Sequence, residues 1–454
     1  MQSPFPFDSM LVFGFLSALL LFGAIVRARF SVIQRFLFPS CLLGGILGLI
    51  LMNSGWISIR TAQLETFAYH LFNISFISMG LTGSSEKEKR AIGKKGHLKG
   101  AIWMALVQGV TFPLQAIIGG GCVLVAGFLG YKLFDTFGFL SPLGFNEGPG
   151  QALSFGKVWE SVGFNDATTI GLTFAAVGFF FAFFIGIPLA NWGIRKGLAT
   201  NAPKTLSKDF LMGIIPKTGK KETAGHLTLH SGNLDSLAFQ ASMIGLVYLL
   251  CFGFVNALGL FLEPDVSKMI WGLFFFFGLI ISIMVRTLMG MARIDYLIDS
   301  GIQNRVTGWS VDFLIVSTVA AIQITVAWKY VIPIATICLI NGLLTTLVVL
   351  FLGRRLWSQN LERLVAIFGT VTGTVSCGLL LLRIVDPDFK TSVSIEIAIM
   401  NLFVLPFIFV CLLLVNSTIW WNWSLWLTIL AFGGILILSL TLLKLFHFWG
   451  DPKF

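Results

Sequence analysis

Apolar runs long enough to cross a membrane recur along the whole chain. A membrane-spanning helix needs about 20 mostly apolar residues. The sequence contains eleven such stretches, at residues 10–27, 36–53, 66–83, 100–130, 167–193, 236–261, 268–289, 310–328, 331–352, 392–415 and 424–444. The run at 100–130 is too long for one simple span. We expect Pro113 and the triplet Gly119-Gly120-Gly121 to bend or break it.

Two further apolar stretches are too short, or too interrupted by glycine, to be ordinary spans. They cover residues 135–162 and 361–385, and each has apolar flanks around a polar, glycine-rich centre. This pattern predicts a re-entrant hairpin, in which two short half-helices meet at an irregular tip. Irregular backbone at membrane depth is tolerated only where it is buried in protein or lines a wet cavity. We therefore expect function at the two tips.

The composition agrees with a polytopic membrane protein and excludes a soluble one. Hydrophobic residues make up 56% of the 454 residues and charged residues 11%, whereas soluble chains carry about 25% charged residues. The net charge of +10 comes from basic residues between apolar runs, so we expect no nucleic-acid partner. The six cysteines lie in or beside apolar runs and match neither a disulfide framework nor a metal-ligand spacing.

The distribution of basic residues predicts an orientation. With the N-terminus outside and the C-terminus in the cytoplasm, 26 of the 31 Lys and Arg residues fall on the cytoplasmic side. Cytoplasmic loops carry such an excess of Lys and Arg. The same layout makes the first hairpin enter from outside and the second from inside.

Each half of the chain is then predicted to contain four spans, a hairpin and one further span. The predicted fold is an all-α polytopic membrane protein with an inverted-topology repeat, an architecture of many secondary transporters. The predicted units are a first repeat (1–194), a basic cytoplasmic linker (195–235), a second repeat (236–416) and an extra C-terminal helix with its tail (417–454). Spans three to five and eight to ten are expected to move against spans one, two, six and seven.

Polar residues at the tips and inside spans are the candidate ligands, because such groups at membrane depth are functional hypotheses by default. The candidates for substrate binding are Asn73, Ser75, Gly150, Gln151, Ser154, Thr372, Gly373, Thr374, Ser376 and Arg383. The candidates for ion binding are Asn146, Glu147, Gly148, Asn165, Asp166, Thr370, Glu396 and Asn401.

Each of these predictions has a plainer alternative. The first tip could be an ordinary extracellular loop, and the second could use its hydroxyls for helix packing. The Arg383 side chain could extend to the cytoplasmic interface instead of pairing with a substrate carboxylate. Asp166 and Glu396 lie near helix starts, where N-capping or interfacial roles are common.

The tip residues resemble one family. The segments that carry the resemblance are Gly148-Pro149-Gly150-Gln151, Lys157-Val158-Trp159-Glu160, Gly163-Phe164-Asn165-Asp166-Ala167-Thr168, Gly186-Ile187-Pro188-Leu189-Ala190 and, more weakly, Gly373-Thr374-Val375-Ser376. They resemble the bacterial sodium/glutamate symporter family over most of 30–195 and part of 360–410. The chain departs from the family in its extra span at 424–444, in Glu147 and Pro149 at the first tip, and in the threonines of the second tip.

The resemblance implies two opposed hairpins and sodium coupling. The sequence shows no enzyme signature and no segment large enough for a nucleotide-binding domain. We therefore expect a sodium-coupled transporter of glutamate or a related anionic amino acid in the bacterial inner membrane. We expect it to be a homodimer in contact with membrane lipid, with Na⁺ as the coupling ion and no other cofactor. The alternatives are a carrier of another carboxylate, such as a dicarboxylate or a citrate-like molecule, a channel, or an intramembrane enzyme or receptor.

Overall fold

The computed structural model describes residues 7–82, 95–201, 208–215, 217, 223–230, 232–387 and 389–453, and the regular elements of this part are helices. Parts of the predicted basic loop near 84–99 and of the linker 195–235 lie outside the described residues. The long helices are α1 (Asp8–Arg29), α2 (Ser40–Asn53), α3 (Thr61–Thr82), α4 (Lys95–Phe128), α5 (Ala167–Arg195), α6 (Ser236–Gly259), α7 (Phe274–Met291), α8 (Ser300–Ala320), α9 (Val331–Gly353), α10 (Val393–Leu414) and α11 (Leu425–Leu445).

Eight of these helices are long and apolar enough to cross a membrane, which identifies an integral membrane protein. They are α1, α4, α5, α6, α9, α10, α11 and the helical segment Val266–Met291, which ends in α7. The helix α2 has 14 residues, about 21 Å at 1.5 Å per residue, which is shorter than a bilayer core of about 30 Å. Each of the eleven predicted apolar stretches overlaps one of the long helices.

Two predictions differ from the structure. Of the bend or break expected in α4, the break does not occur, because the helix runs from Lys95 to Phe128 with Pro113 inside it. Gly119 allows close packing, because a Cβ there would collide with the carbonyl oxygen of Gly138. The helix α8 begins ten residues before the predicted start, because the side chain of Asp299 caps it by accepting a hydrogen bond from the Ile302 N–H.

The long helices pack as two groups. In the α3–α8 group, α3 and α8 pack on each other, α2 packs on α1 and α8, and α7 packs on α3 and α6. In the α4–α5 group, α4 packs against α9, α10 and α11, and α5 packs against both short helical pairs described below. The predicted division placed α3 and α8 with the hairpins. Packing places them with α1, α2, α6 and α7.

Two pairs of short helices occupy the predicted hairpin positions. The first helical pair consists of Leu140–Phe145 and Pro149–Glu160, preceded by a 3₁₀ turn at Phe137–Phe139. The second helical pair consists of Asn360–Thr372 and Val375–Val385. Residues 136–156 are buried apart from the partly exposed Glu147, so the first stretch is not an ordinary surface loop.

The helix Pro149–Glu160 connects the two groups. It packs on α5 and also on α3, α8 and the turn Ile270–Leu273. Phe72 of α3 lies directly against Gly150, where an added Cβ would come 2.1 Å from the Phe72 ring. At the other end of the helix, the Lys157 ammonium lies 2.8 Å from a carboxylate oxygen of Glu65 in α3. The first helical pair is therefore one part of the α4–α5 group that contacts the α3–α8 group.

Candidate functional site

The tips of the two helical pairs touch each other. A Cβ on Gly148 would lie 2.7 Å from the Thr374 methyl carbon and 3.2 Å from the Gly373 carbonyl oxygen. The helix α5 passes beside both tips at Gly178, where a Cβ would lie 2.7 Å from the Thr372 carbonyl oxygen and 3.4 Å from the Phe145 Cα. Two segments more than 200 residues apart thus meet at one point.

The local sequence explains why each tip turns where it does. Gly148 has φ 90° and ψ −178°, a combination that is essentially restricted to glycine. Pro149 follows as the first residue of a helix, where its missing N–H and fixed φ are an advantage. At the second tip, Thr374 is the N-cap of Val375–Val385, and its side chain accepts a hydrogen bond from the Cys377 N–H. Both second half-helices therefore begin at the contact between the tips.

A cluster of polar side chains connects α4 to the first tip. The Gln108 side-chain N–H₂ donates to Glu147 Oε1 at 2.9 Å, and Gln151 donates to Glu147 Oε2 at 2.8 Å. Asn146 donates to the Thr111 hydroxyl at 3.0 Å. We call Gln108, Thr111, Asn146, Glu147 and Gln151 the tip cluster. Sequence reasoning selected the last three and missed the two on α4, although Gln108, Thr111 and Gln115 form a polar stripe at helical spacing.

Several oxygen atoms of the tip cluster accept no hydrogen bond from the described residues. Gln108 Oε1, Asn146 Oδ1 and Gln151 Oε1 are buried and have no hydrogen-bond partner within the described part of the chain. Buried polar groups normally have partners. A carboxylate also has about four lone-pair positions, so Glu147 can accept more than its two hydrogen bonds. Carbonyl and carboxylate oxygens suit hard cations, and the cluster is therefore a candidate cation site.

The same face of α4 reaches the second tip through Gln115. Its N–H₂ donates to the Val371 carbonyl at 3.2 Å and to the Thr345 hydroxyl of α9 at 3.0 Å. Asn341 of α9 donates to Ser141 in the first helical pair. Gln115 Oε1 and Asn341 Oδ1 are two more buried oxygens without a partner among the described residues. One stripe of α4 therefore contacts both tips.

The hydroxyls of the second tip divide into two sets. Thr370 and Thr372 donate to backbone carbonyls of their own helix, at 2.9 Å to Ala366 and 2.6 Å to Phe368. In this arrangement both hydroxyls are therefore bonded within their own helix. Thr374 lies at the contact with Gly148, and Ser376 is exposed. The latter two are the hydroxyls of this tip that can meet a ligand in this arrangement.

The residue of α3 that contacts the first tip is Phe72, and not the predicted Asn73 or Ser75. Phe72 packs on Gly150, whereas Asn73 is buried next to Tyr69 and Tyr248 within the α3–α8 group. Ser75 donates to the Phe72 carbonyl at 2.7 Å.

Ser154 donates to the Gly150 carbonyl at 2.8 Å and lines a cavity of about 460 Å³ together with Glu65, Lys157 and Lys268. This cavity lies between the helix Pro149–Glu160 and α3.

Glu396, a predicted ion ligand, is paired with an arginine in the structure. Its two carboxylate oxygens accept hydrogen bonds from Arg363 Nε and Nη2, both at 2.7 Å, and both side chains are buried. Ser392 donates a further bond at 2.7 Å. A carboxylate held by a buried guanidinium in two-pronged geometry is already neutralised, so Glu396 joins α10 to the second helical pair. Asn401, also on α10, is partly exposed.

Three further predicted residues lie away from the tips. Asn165 and Asp166 precede α5, at the end of the first helical pair opposite its tip. Asp166 makes no capping hydrogen bond with its side chain, and Glu160 instead accepts one from the Thr168 N–H at 3.1 Å. Arg383 is exposed near the end of Val375–Val385, and its guanidinium lies 5.0 Å from the centre of the Phe389 ring.

The structure thus brings the central tip residues together and leaves Asn165, Asp166, Arg383 and Glu396 outside. No protein-family model and no curated protein matches this chain.

Proposed function

We propose that the chain is a sodium-coupled secondary transporter that carries glutamate or a related small anionic amino acid across the bacterial inner membrane. The observation that carries the proposal is the tip cluster, in which three buried amide oxygens beside Glu147 have no partner among the described residues. It offers ligands for a hard monovalent cation next to the contact between the two tips. In this proposal, Na⁺ binds at the cluster and the substrate binds at the tips.

The helix starts support an anionic substrate. Pro149–Glu160 and Val375–Val385 both begin at the contact between the tips. The first N–H groups of a helix have no partner within the helix, and its N-terminus carries a partial positive charge. A carboxylate near Gly150 and Thr374 would meet both helix starts, and the bound Na⁺ would balance the charge of Glu147.

The order of the elements supports an inverted repeat. In each half, four long helices are followed by a helical pair and one more helix, and α11 is appended at the end. We propose that the first pair enters the membrane from outside and the second from the cytoplasm, with the N-terminus outside and the C-terminus inside. Discontinuous helices in such repeats bind substrate and coupling ion in many secondary transporters.

The two packed groups support an elevator-type movement. The α4–α5 group contains both helical pairs and would carry the site past the α3–α8 group. A homodimer would then form through the α3–α8 group, because a surface that must slide cannot also be a tight interface. A closed dimer is the default form of a homo-oligomer. One alternative is a carrier of another carboxylate, which Glu147 and the threonines of the second tip favour. The other alternative is a channel.

Uptake into proteoliposomes tests this function. The purified protein should take up radiolabelled glutamate to a saturating level, and uptake should require an inward Na⁺ gradient. Glu147→Gln should raise the Na⁺ concentration for half-maximal uptake by about tenfold or more, because a hydrogen-bonded charge contributes about 1.5–3 kcal/mol. Glu263→Gln, on an exposed loop, is the matched control and should behave as wild type.

Three outcomes would contradict the proposal in different ways. Uptake that proceeds without a Na⁺ gradient would exclude sodium symport. A flux that rises linearly with concentration and does not saturate would indicate a channel. An unchanged Na⁺ dependence in Glu147→Gln would remove the tip cluster as the cation site.

A further inference from the structure

Four uncharged polar side chains meet where α4 and α9 pack beside the first helical pair. They are Gln115 of α4, Asn341 and Thr345 of α9, and Ser141 of the helix Leu140–Phe145, and all four are fully buried. Gln115 donates to the Thr345 hydroxyl at 3.0 Å. Asn341 donates to the Ser141 hydroxyl and, at 3.4 Å, to the backbone carbonyl of Gln115, which joins the two hydrogen-bonded pairs. We call these four residues the α4–α9 cluster.

The hydrogen-bond partners fix the direction in which both amide groups point. Gln115 directs its N–H₂ at the Val371 backbone carbonyl, and Asn341 directs its N–H₂ at the Gln115 backbone carbonyl. A backbone carbonyl only accepts hydrogen bonds, so neither amide can be turned over without losing a bond. The atoms left over are Gln115 Oε1 and Asn341 Oδ1, which are buried and have no hydrogen-bond partner among the described residues.

Two amide oxygens and two hydroxyl oxygens in one buried cluster suit a small, hard, monovalent cation. A hydroxyl oxygen has two lone pairs, so Ser141 and Thr345 can each bind a cation and still accept an amide hydrogen. Oxygen ligands favour hard ions over soft ones. Divalent ions such as Ca²⁺ are bound with carboxylates, and the four side chains of the α4–α9 cluster carry no charge. The ligand set therefore fits Na⁺.

The α4–α9 cluster and the tip cluster are too far apart to share one ion. Gln108 and Gln115 lie on the same face of α4, and a separation of seven residues is about 10 Å along a helix. A hard cation binds its oxygen ligands at about 2–2.6 Å. Each side chain is also held at its own end of this interval, Gln108 by Glu147 and Gln115 by Val371. One ion therefore cannot be bound by both clusters.

We propose that the α4–α9 cluster is a second Na⁺ site, so that each chain binds two Na⁺ ions. This inference rests on the proposed function, in which the tip cluster holds the first Na⁺, and it extends that function to the number of coupling ions. The second ion contacts α4, α9 and the first helical pair, while Gln115 also holds the second tip at Val371. Two Na⁺ with one singly negative amino acid carry a net positive charge, so a membrane potential that is negative inside favours uptake.

Binding of radioactive Na⁺ to the purified full-length protein counts the sites without requiring transport. We expect wild type to bind two Na⁺ per chain, both saturably. Thr345→Val removes one hydroxyl ligand and should weaken one of the two sites by about tenfold or more, because even the outer partners of metal ligands contribute about 10–100-fold in affinity. Glu147→Gln should weaken the other site and leave this one unchanged.

Two control variants separate the loss of a ligand from a general loss of structure. Thr345→Ser keeps the hydroxyl and should bind two Na⁺ as wild type does. Thr346→Val removes the neighbouring hydroxyl of α9, which donates to the Gly342 carbonyl at 2.6 Å outside the cluster, and should also bind two Na⁺. In proteoliposomes, the Hill coefficient of Na⁺-dependent uptake should fall from about two in wild type to about one in Thr345→Val.

The count in wild type decides the inference even if Thr345→Val folds poorly. Wild-type protein that binds one Na⁺ per chain would overturn the second site, and the tip cluster would remain the cation site of the proposed function. Two Na⁺ that Thr345→Val leaves unchanged would also overturn it, because the second ion would then bind elsewhere. Wild-type protein that binds no Na⁺ would instead contradict the proposed sodium coupling, and both sites would fail with it.

Discussion

Replacing Gly148 by alanine tests whether the contact between the two tips matters for transport. Two separate costs follow from the structure. The backbone at Gly148, with φ 90° and ψ −178°, costs a residue with a side chain about 1–3 kcal/mol. The new methyl group would also lie 2.7 Å from the Thr374 methyl carbon, and such overpacking costs about 1–3 kcal/mol. The variant should therefore lose about 2–6 kcal/mol in the state where the tips touch.

Two further variants separate these costs. Gly163 also has a positive φ, 100°, but a Cβ there meets no atom within 4 Å, so Gly163→Ala carries the backbone cost alone. Thr374→Ser removes the obstructing methyl group and keeps the hydroxyl that caps Val375–Val385, because serine caps as well as threonine. The double variant Gly148→Ala/Thr374→Ser should therefore recover about 1–3 kcal/mol relative to Gly148→Ala, while Thr374→Ser alone should be close to wild type.

The assay has two readouts, Na⁺-dependent uptake into proteoliposomes and the thermal unfolding midpoint of the purified protein. We expect Gly148→Ala to be worse than Gly163→Ala in both, and the double variant to lie between Gly148→Ala and wild type. Equal behaviour of Gly148→Ala and Gly163→Ala would show that the tips do not touch in the functional protein. A double variant as impaired as Gly148→Ala would show that Thr374 is not the residue in contact.

Two other predictions concern ion pairs outside the tips. Arg363→Met or Glu396→Gln alone should cost about 3–5 kcal/mol of stability, because each leaves a buried polar group without its partner. The double variant Arg363→Met/Glu396→Met should recover most of this loss in an unfolding assay. Equal losses in the single and double variants would refute the pairing. Lys157→Gln removes a link between Glu65 and the first helical pair, but the Lys157 side chain is 55% exposed, so we expect a stability loss of about 1 kcal/mol or less. If that link restrains the movement of the two groups, uptake should rise by up to about fivefold, and slower uptake would contradict this role.

Much of the fold follows from the sequence because the backbone of a membrane protein must satisfy its own hydrogen bonds. An apolar run of sufficient length has to form a helix, and for this reason each of the eleven predicted stretches overlaps one. The tips were also visible in the sequence, since Gly148-Pro149-Gly150 and Gly373-Thr374 interrupt apolar flanks. Glycine at such a position marks a backbone conformation or a close approach that a side chain would forbid, and both apply at Gly148.

The tertiary structure alone decided which residues meet. Hydrophobic spacing says which side of a helix is polar, but it does not say which neighbour that side faces. Gln108 and Thr111 are therefore site candidates only because α4 packs beside the first tip, where they contact Glu147 and Asn146. Glu396 left the candidate site for the same reason, because Arg363, 33 residues earlier, lies against it. The sequence determined the helices and their interruptions, and packing determined which polar groups have partners among the described residues and which have none there.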